Sequence, residues 1–211
     1  KNIFFQSMPI TVAILGYSVA AAIVFTYVGF SSEYAVAGYG SATRIEQVVL
    51  LPILGINTAI ISIIAQNIGA KQHNRVEQSY FTSVRYGLCL MIIAGIIIYL
   101  TAEIVPKFFS SNTDVIAYGT MYLKISAFIL PAYPIFFLSN GFFMALKKSE
   151  KAMLNNIIRN VIVPILSFYI ARHINADFKT FFYIWAAFQW TISLLLFAYV
   201  NYYIKNKLTK I

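Results

Sequence analysis

The chain has 211 residues, of which 60% are hydrophobic and 11% charged, with a formal net charge of +9. A soluble domain carries roughly a quarter charged residues, so the composition excludes one and points to membrane spans. The basic residues lie in short segments between apolar runs, which reads as a topology signal rather than a nucleic-acid surface.

Six spans are expected. The first covers about 9–30, with Pro9 in its first turn, where a helix tolerates proline. The second covers 43–69. Thr43-Arg44-Ile45-Glu46 has the spacing of a capping box, with Thr43 as N-cap, and Gly69 suits a C-terminal cap. At ~1.5 Å per residue, a helix of roughly 25 residues crosses a bilayer with some tilt. The third covers 77–105, where Asn74 and Glu77 repeat the N-cap pattern. The fourth, 114–146, contains Pro131 and Pro134, which remove two backbone donors and predict a kink near the bilayer middle. The fifth covers 152–171, with a bend expected at Pro164, and the sixth 178–204.

An even number of spans puts both ends of the segment on one side. That side collects ten lysines and arginines, Lys71, Arg75, Lys147, Lys148 and Lys151 among them. Arg44, Lys107, Arg172 and Lys179 fall on the other. The bias predicts that both ends face the cytoplasm. The first residue is Lys1, which fits a fragment, a processed chain or an excerpt of a longer protein.

Enzyme chemistry finds no support. His73 and His173 have no Cys, His or carboxylate at ligand spacing, so no metal site is expected, and no cofactor motif, P-loop or nucleophile motif is present. Cys89 lies in an apolar run and is expected to be a buried, inert thiol. Glu46, Glu77, Asp114, Glu150 and Asp177 fall at or near expected helix starts, Glu103 near an end and Glu33 in a loop. No carboxylate is therefore expected in mid-span, although an ion-coupled carrier ordinarily needs one there.

Two cations do fall within spans. Lys124 either snorkels to the outer interface or faces a cavity, with snorkelling the preferred reading. Arg159 shares a helix face with Asn155, and hydrogen bonding between helices is preferred for both over a cavity role. Neutral polar and aromatic groups complete the set: Tyr17 and Tyr27 on the first span, Asn57 and Thr58 on the second, Tyr133 and Asn140 on the fourth, and Gln189 on the sixth. Each could serve helix packing. As a set with Lys124 they are the candidates for a cavity suited to amphipathic or cationic organic compounds.

The motifs RIEQ at 44–47, AQNIGAK at 65–71, YLKI at 122–125 and ALKKSEKAMLNNIIRNVIVPI at 145–165 occur in the order of bacterial MATE (multidrug and toxic compound extrusion) transporters. The chain resembles one six-helix lobe of that twelve-helix family, the C-terminal one. Lys147-Lys148-Ser149 departs from it, standing where many relatives have a glycine-rich turn. The resemblance implies an all-α integral membrane fold and export of a small organic substrate in exchange for protons or sodium. It implies as partners an N-terminal lobe or a second half-chain, with membrane lipid around them, in a bacterial-type plasma membrane. Some relatives carry cation-binding acids in the first and fourth spans of this lobe. This chain has none there beyond Asp114, so no ion-binding residue is transferred. Pro131 and Pro134 are candidate hinges for the transport cycle. Two alternatives stand beside this reading. A lipid-linked oligosaccharide flippase would need more cavity cations than Lys124 and Arg159. A non-transporting membrane subunit would need no coupling carboxylate.

Overall fold

Lipid offers no partner for a backbone N–H or C=O, so a chain of this composition must satisfy its backbone within helices. The computed structural model describes residues 2–208, with side chains from Leu15 onward except Tyr17. All regular structure among the described residues is helical.

Helix α1 (Asn2–Gly29) starts ahead of the expected residue 9, so Pro9 lies within it and not in its first turn. Helix α2 (Glu33–Gly69) has 37 residues and starts ten residues before Thr43. Its N-cap is Ser32, whose hydroxyl accepts from the Ala35 N–H at 3.0 Å. Thr43 caps nothing; its hydroxyl donates to the Gly40 carbonyl at 3.0 Å within the helix. The segment Gly38-Tyr39-Gly40-Ser41 reads as a loop in water, but in a membrane small residues let helices approach closely. A methyl group on Gly38 would sit 2.6 Å from the Val115 carbonyl oxygen of the neighbouring helix.

Helix α3 (His73–Thr101) starts at His73, with Gln72 rather than Asn74 as N-cap. Cys89 is exposed on its outer surface, which corrects the expectation of a buried thiol. A 3-10 turn (Val105–Phe108) leads to α4 (Thr113–Ile129), whose N-cap Asn112 accepts from the N–H groups of Asp114 and Val115 at 2.9 and 3.3 Å. Helix α5 (Ala132–Ala145) follows at an angle of 51° to α4. Pro131 is the N-cap at this elbow, and Pro134 is the third residue of α5, where an N–H would have no helical partner. The expected kink is present.

The fifth pass is built of α6 (Ser149–Ile157), a π-helical turn (Ile158–Ile162) and α7 (Val163–His173). Pro164 has no N–H to offer the Asn160 carbonyl, a local reason for the widened turn. Helix α8 (Phe178–Lys207) completes the bundle; Asp177 caps it by accepting from the Thr180 N–H at 3.0 Å. Helices α2, α5 and α7 end on Lys71, Lys147 and Asn175 in the left-handed region, with φ of 56°, 57° and 50°. The Gln72, Lys148 and Ala176 N–H groups reach back to the carbonyls of Asn67, Phe143 and Ala171 at 2.8, 3.0 and 2.8 Å, closing three Schellman motifs without glycine. The left-handed residue that closes α2 is thus Lys71, two positions beyond Gly69, the last residue of the helix.

Helix α2 packs against α3, α4 and α5; α8 packs against α4, α5 and α7; and α1 lies along α6 and the π turn. Among the described residues, α2, α3, the α6–α7 pass and α8 are long and apolar enough to cross a membrane, and the bent α4–α5 pair makes a fifth span. An apolar stretch of α1, Ser18–Gly29, lies beside them. Phe136, Phe142, Phe143, Phe181 and Phe182 are fully enclosed between the helices.

Candidate functional site

The early start of α2 changes the place of one residue. Glu46 stands thirteen residues into the helix, about 20 Å from its first turn at ~1.5 Å per residue. It is 7% exposed. The expectation that these residues supply no carboxylate within a span is therefore corrected: the capping-box reading had put Glu46 at a helix start.

Four elements converge on it. From α4 the Tyr122 hydroxyl donates to Glu46 Oε2, and from α5 the Tyr133 hydroxyl donates to Oε1. From the π turn comes Arg159, 6% exposed, near enough for its charge to act on Glu46. Its Nε donates to Oε1 of Gln189 on α8 at 2.6 Å. Its guanidinium lies over Phe136, Tyr133 and Phe137, with 4.2, 4.6 and 5.4 Å to the ring centroids. A desolvated cation gains up to about 2 kcal/mol from such a face. The elbow at Pro131 brings Tyr133 and Phe136 here, and the π turn carries Arg159.

These groups border a cavity of about 150 Å³, with Thr43, Gln47, Asn156 and Asn160 supplying further polar groups. Sites for drug-sized molecules run to about 300–1,000 Å³. The space within this lobe suits an ion, a few waters or one small polar group. A larger molecule would need a second wall.

Of the sequence candidates, Tyr133 and Gln189 line this cavity together with Arg159. Tyr27 donates its hydroxyl to the Ala176 carbonyl at 2.7 Å and stacks on Phe181 at 4.1 Å. Asn140 accepts from Asn155 at 3.1 Å, and Asn57 lies against Gly141. Thr58 donates to the Leu54 carbonyl at 3.0 Å on an exposed face. The side chain of Tyr17 lies outside the described residues. Lys124 sits apart, in an open groove with Glu103, whose carboxylate it reaches at 2.6 Å. That contact holds the Glu103 carboxyl below its ordinary value. Sequence reasoning missed Glu46 and Tyr122. RIEQ and YLKI flagged their segments, but only the true start of α2 puts Glu46 opposite Tyr122.

An apolar helical bundle enclosing a charged, aromatic-lined cavity defines a multi-pass membrane protein of the transporter class. The sequence pattern of the MatE family matches residues 9–170, and the chain belongs to that family. MATE proteins are transporters, not enzymes. The chain is 27% identical to the probable multidrug resistance protein YpnP of Bacillus subtilis over 71% of its length and 32% of the relative's. It is 23% identical to the multidrug export protein MepA of Staphylococcus haemolyticus over 99% of its length and 45% of the relative's. A crystal structure of MATE in complex with MaL6 superposes with a TM-score of 0.90 at 18% identity, covering 97% of this chain and 46% of the other. The chain thus spans less than half the length of each of these proteins.

Proposed function

We propose that the chain is the C-terminal lobe of a MATE-type antiporter that exports amphipathic or cationic organic compounds in exchange for protons or sodium. Its other wall is an N-terminal lobe of the same protein or a second half-chain. It acts in the plasma membrane, with both ends of this segment cytoplasmic, as the bias of lysine and arginine supports. The observation that carries the reading is Glu46: a carboxylate within a span is costly and is kept where it binds or moves an ion. The aromatic wall beside it suits an organic cation, and the cavity's small volume fits a lobe that needs a facing partner. Alternating access would rock the two lobes and flex the Pro131 elbow. Unchanged transport in a chain with both Pro131 and Pro134 replaced by Ala would remove the flexing step.

The test is efflux of ethidium from proteoliposomes that hold the full-length transporter under an imposed ion gradient. Glu46→Gln keeps the shape and removes the titratable group, so gradient-driven efflux is expected to fall to the protein-free level. Wild-type rates in Glu46→Gln would sink the assignment of Glu46.

A further inference from the structure

We propose that the groove between α3, α4 and α8 is a binding site for an anionic phospholipid, its phosphate held by Lys124 and Lys179 and an acyl chain laid over the rings below them. The proposal needs only that the bundle lies in a membrane and is independent of the antiporter reading.

Helix α4 forms the floor of the groove and α3 and α8 its walls. The space is about 530 Å³, against about 150 Å³ for the Glu46 cavity, and the two share no lining residue. Its lining is layered. Glu103 stands just past the end of α3, Lys124 on α4 and Lys179 in the first turn of α8. Each is four residues from a ring in the same stretch of chain: Tyr99, Phe128 and Tyr183. Helix α3 runs toward this end of the bundle and α4 and α8 run away from it, so each ring lies about one turn, ~6 Å, deeper than its charge. Lys124 reaches Glu103 at 2.6 Å, Tyr99 meets Phe128 edge-on at 5.8 Å, and the Lys179 ammonium lies 5.8 Å from the Tyr183 centroid. Deeper still, the Trp190 indole N–H donates to the Phe128 carbonyl at 2.9 Å and ties α8 to α4. All three rings are exposed.

Charge above, amphipathic rings below and apolar wall beneath is the order that a phospholipid presents at the membrane boundary. Snorkelling alone would put Lys124 at this level, but it does not call for a second lysine and three rings in the same groove. The balance of charge selects the headgroup. Glu103 answers Lys124, and Lys107 is near enough for its own charge to act on Glu103. Asp177 is turned to the Thr180 N–H as the cap of α8 and does not line the groove. Positive charge is left over, which a headgroup of net charge −1 completes and a zwitterionic one does not. Lys124 has three donors, so it can serve Glu103 and a phosphate together. An occupant would pack the last turn of α4, next to the Pro131 elbow.

The test uses the full-length protein in vesicles containing a trace of phosphatidylglycerol, or of phosphatidylcholine, with a photoreactive diazirine near the glycerol end of one acyl chain. After irradiation, lipid-bearing peptides are quantified by mass spectrometry, relative to the exposed α3 residues Ile93 and Ile97. Labelling around Phe128 and Tyr183 is expected to favour phosphatidylglycerol by more than about tenfold, at roughly fivefold for each lysine. Lys179→Gln, at an exposed position, should lower that preference about fivefold, and Lys179→Arg should keep it. Equal labelling by the two lipids in the wild type, or an undiminished preference in Lys179→Gln, overturns the proposal. So does loss of the signal on adding millimolar glycerol phosphate, which would make the groove a site for a soluble phosphate ester.

Discussion

Glu46 with Arg159 and Glu103 with Lys124 set the same two charges in two environments. Glu103 and Lys124 are 70% and 38% exposed, and each is the other's main partner. Glu46 and Arg159 are 7% and 6% exposed, and five further side chains surround them: two tyrosine hydroxyls, an amide and two phenylalanine rings. The difference follows from solvation. Water stabilises the outer pair whether or not it forms a bridge, so little is needed from neighbours. The inner pair has lost that solvation, and each hydrogen bond to it replaces part of what water supplied.

The comparison is broken most directly at Arg159. Arg159→Leu leaves Glu46 without its counter-charge, and losing one partner of a buried pair costs about 3–5 kcal/mol. Thermal unfolding of the full-length protein in detergent should show a clear fall. The double variant Glu46→Gln, Arg159→Leu should recover much of it, because the two sites are coupled. A double variant as unstable as Arg159→Leu alone would mean that the arginine acts by packing. Tyr133→Phe is a smaller step. It deletes one donor to the carboxylate while keeping the ring under the guanidinium, at a cost of about 1.5–3 kcal/mol. The same measurement checks it, and a change too small to resolve would count against the hydrogen bond.

Much of the fold was legible because apolar runs of fixed length and Pro, Gly and Asn punctuation mark helices by local physics. The elbow at Pro131, the break before Ser149 and the cap at Asp177 follow from the residues that make them. The start of α2 was not legible. Gly38, Gly40 and Ser41 have low helix propensity in water, and the close crossing of Gly38 on Val115 is a contact that one sequence does not reveal. That one boundary hid the site, since Thr43-x-x-Glu46 matches a capping box in spacing alone. Arg159 was visible as a charge within a span, and its neighbours Asn155 and Asn156 suggested packing. Nothing in one sequence could say that a π turn and a bent helix place it beside Glu46.

The smallest effect is expected at the outer pair. Lys124→Ala should lower the unfolding temperature at neutral pH only slightly, because both partners are solvated. Its signature lies in pH. The Glu103 carboxyl is depressed in the folded protein, first by its hydrogen bond to Lys124 and then by that residue's charge. A depressed carboxyl adds stability above its unfolded value of about 4.5, and that stability is lost as pH falls through the lower folded value. Wild-type and Lys124→Ala curves of unfolding temperature should therefore differ slightly above pH 4.5 and converge below it. Added salt should erase the difference, since exposed charges are screened. A Lys124→Ala loss as large as that of Arg159→Leu would show that depth is not what separates the two pairs.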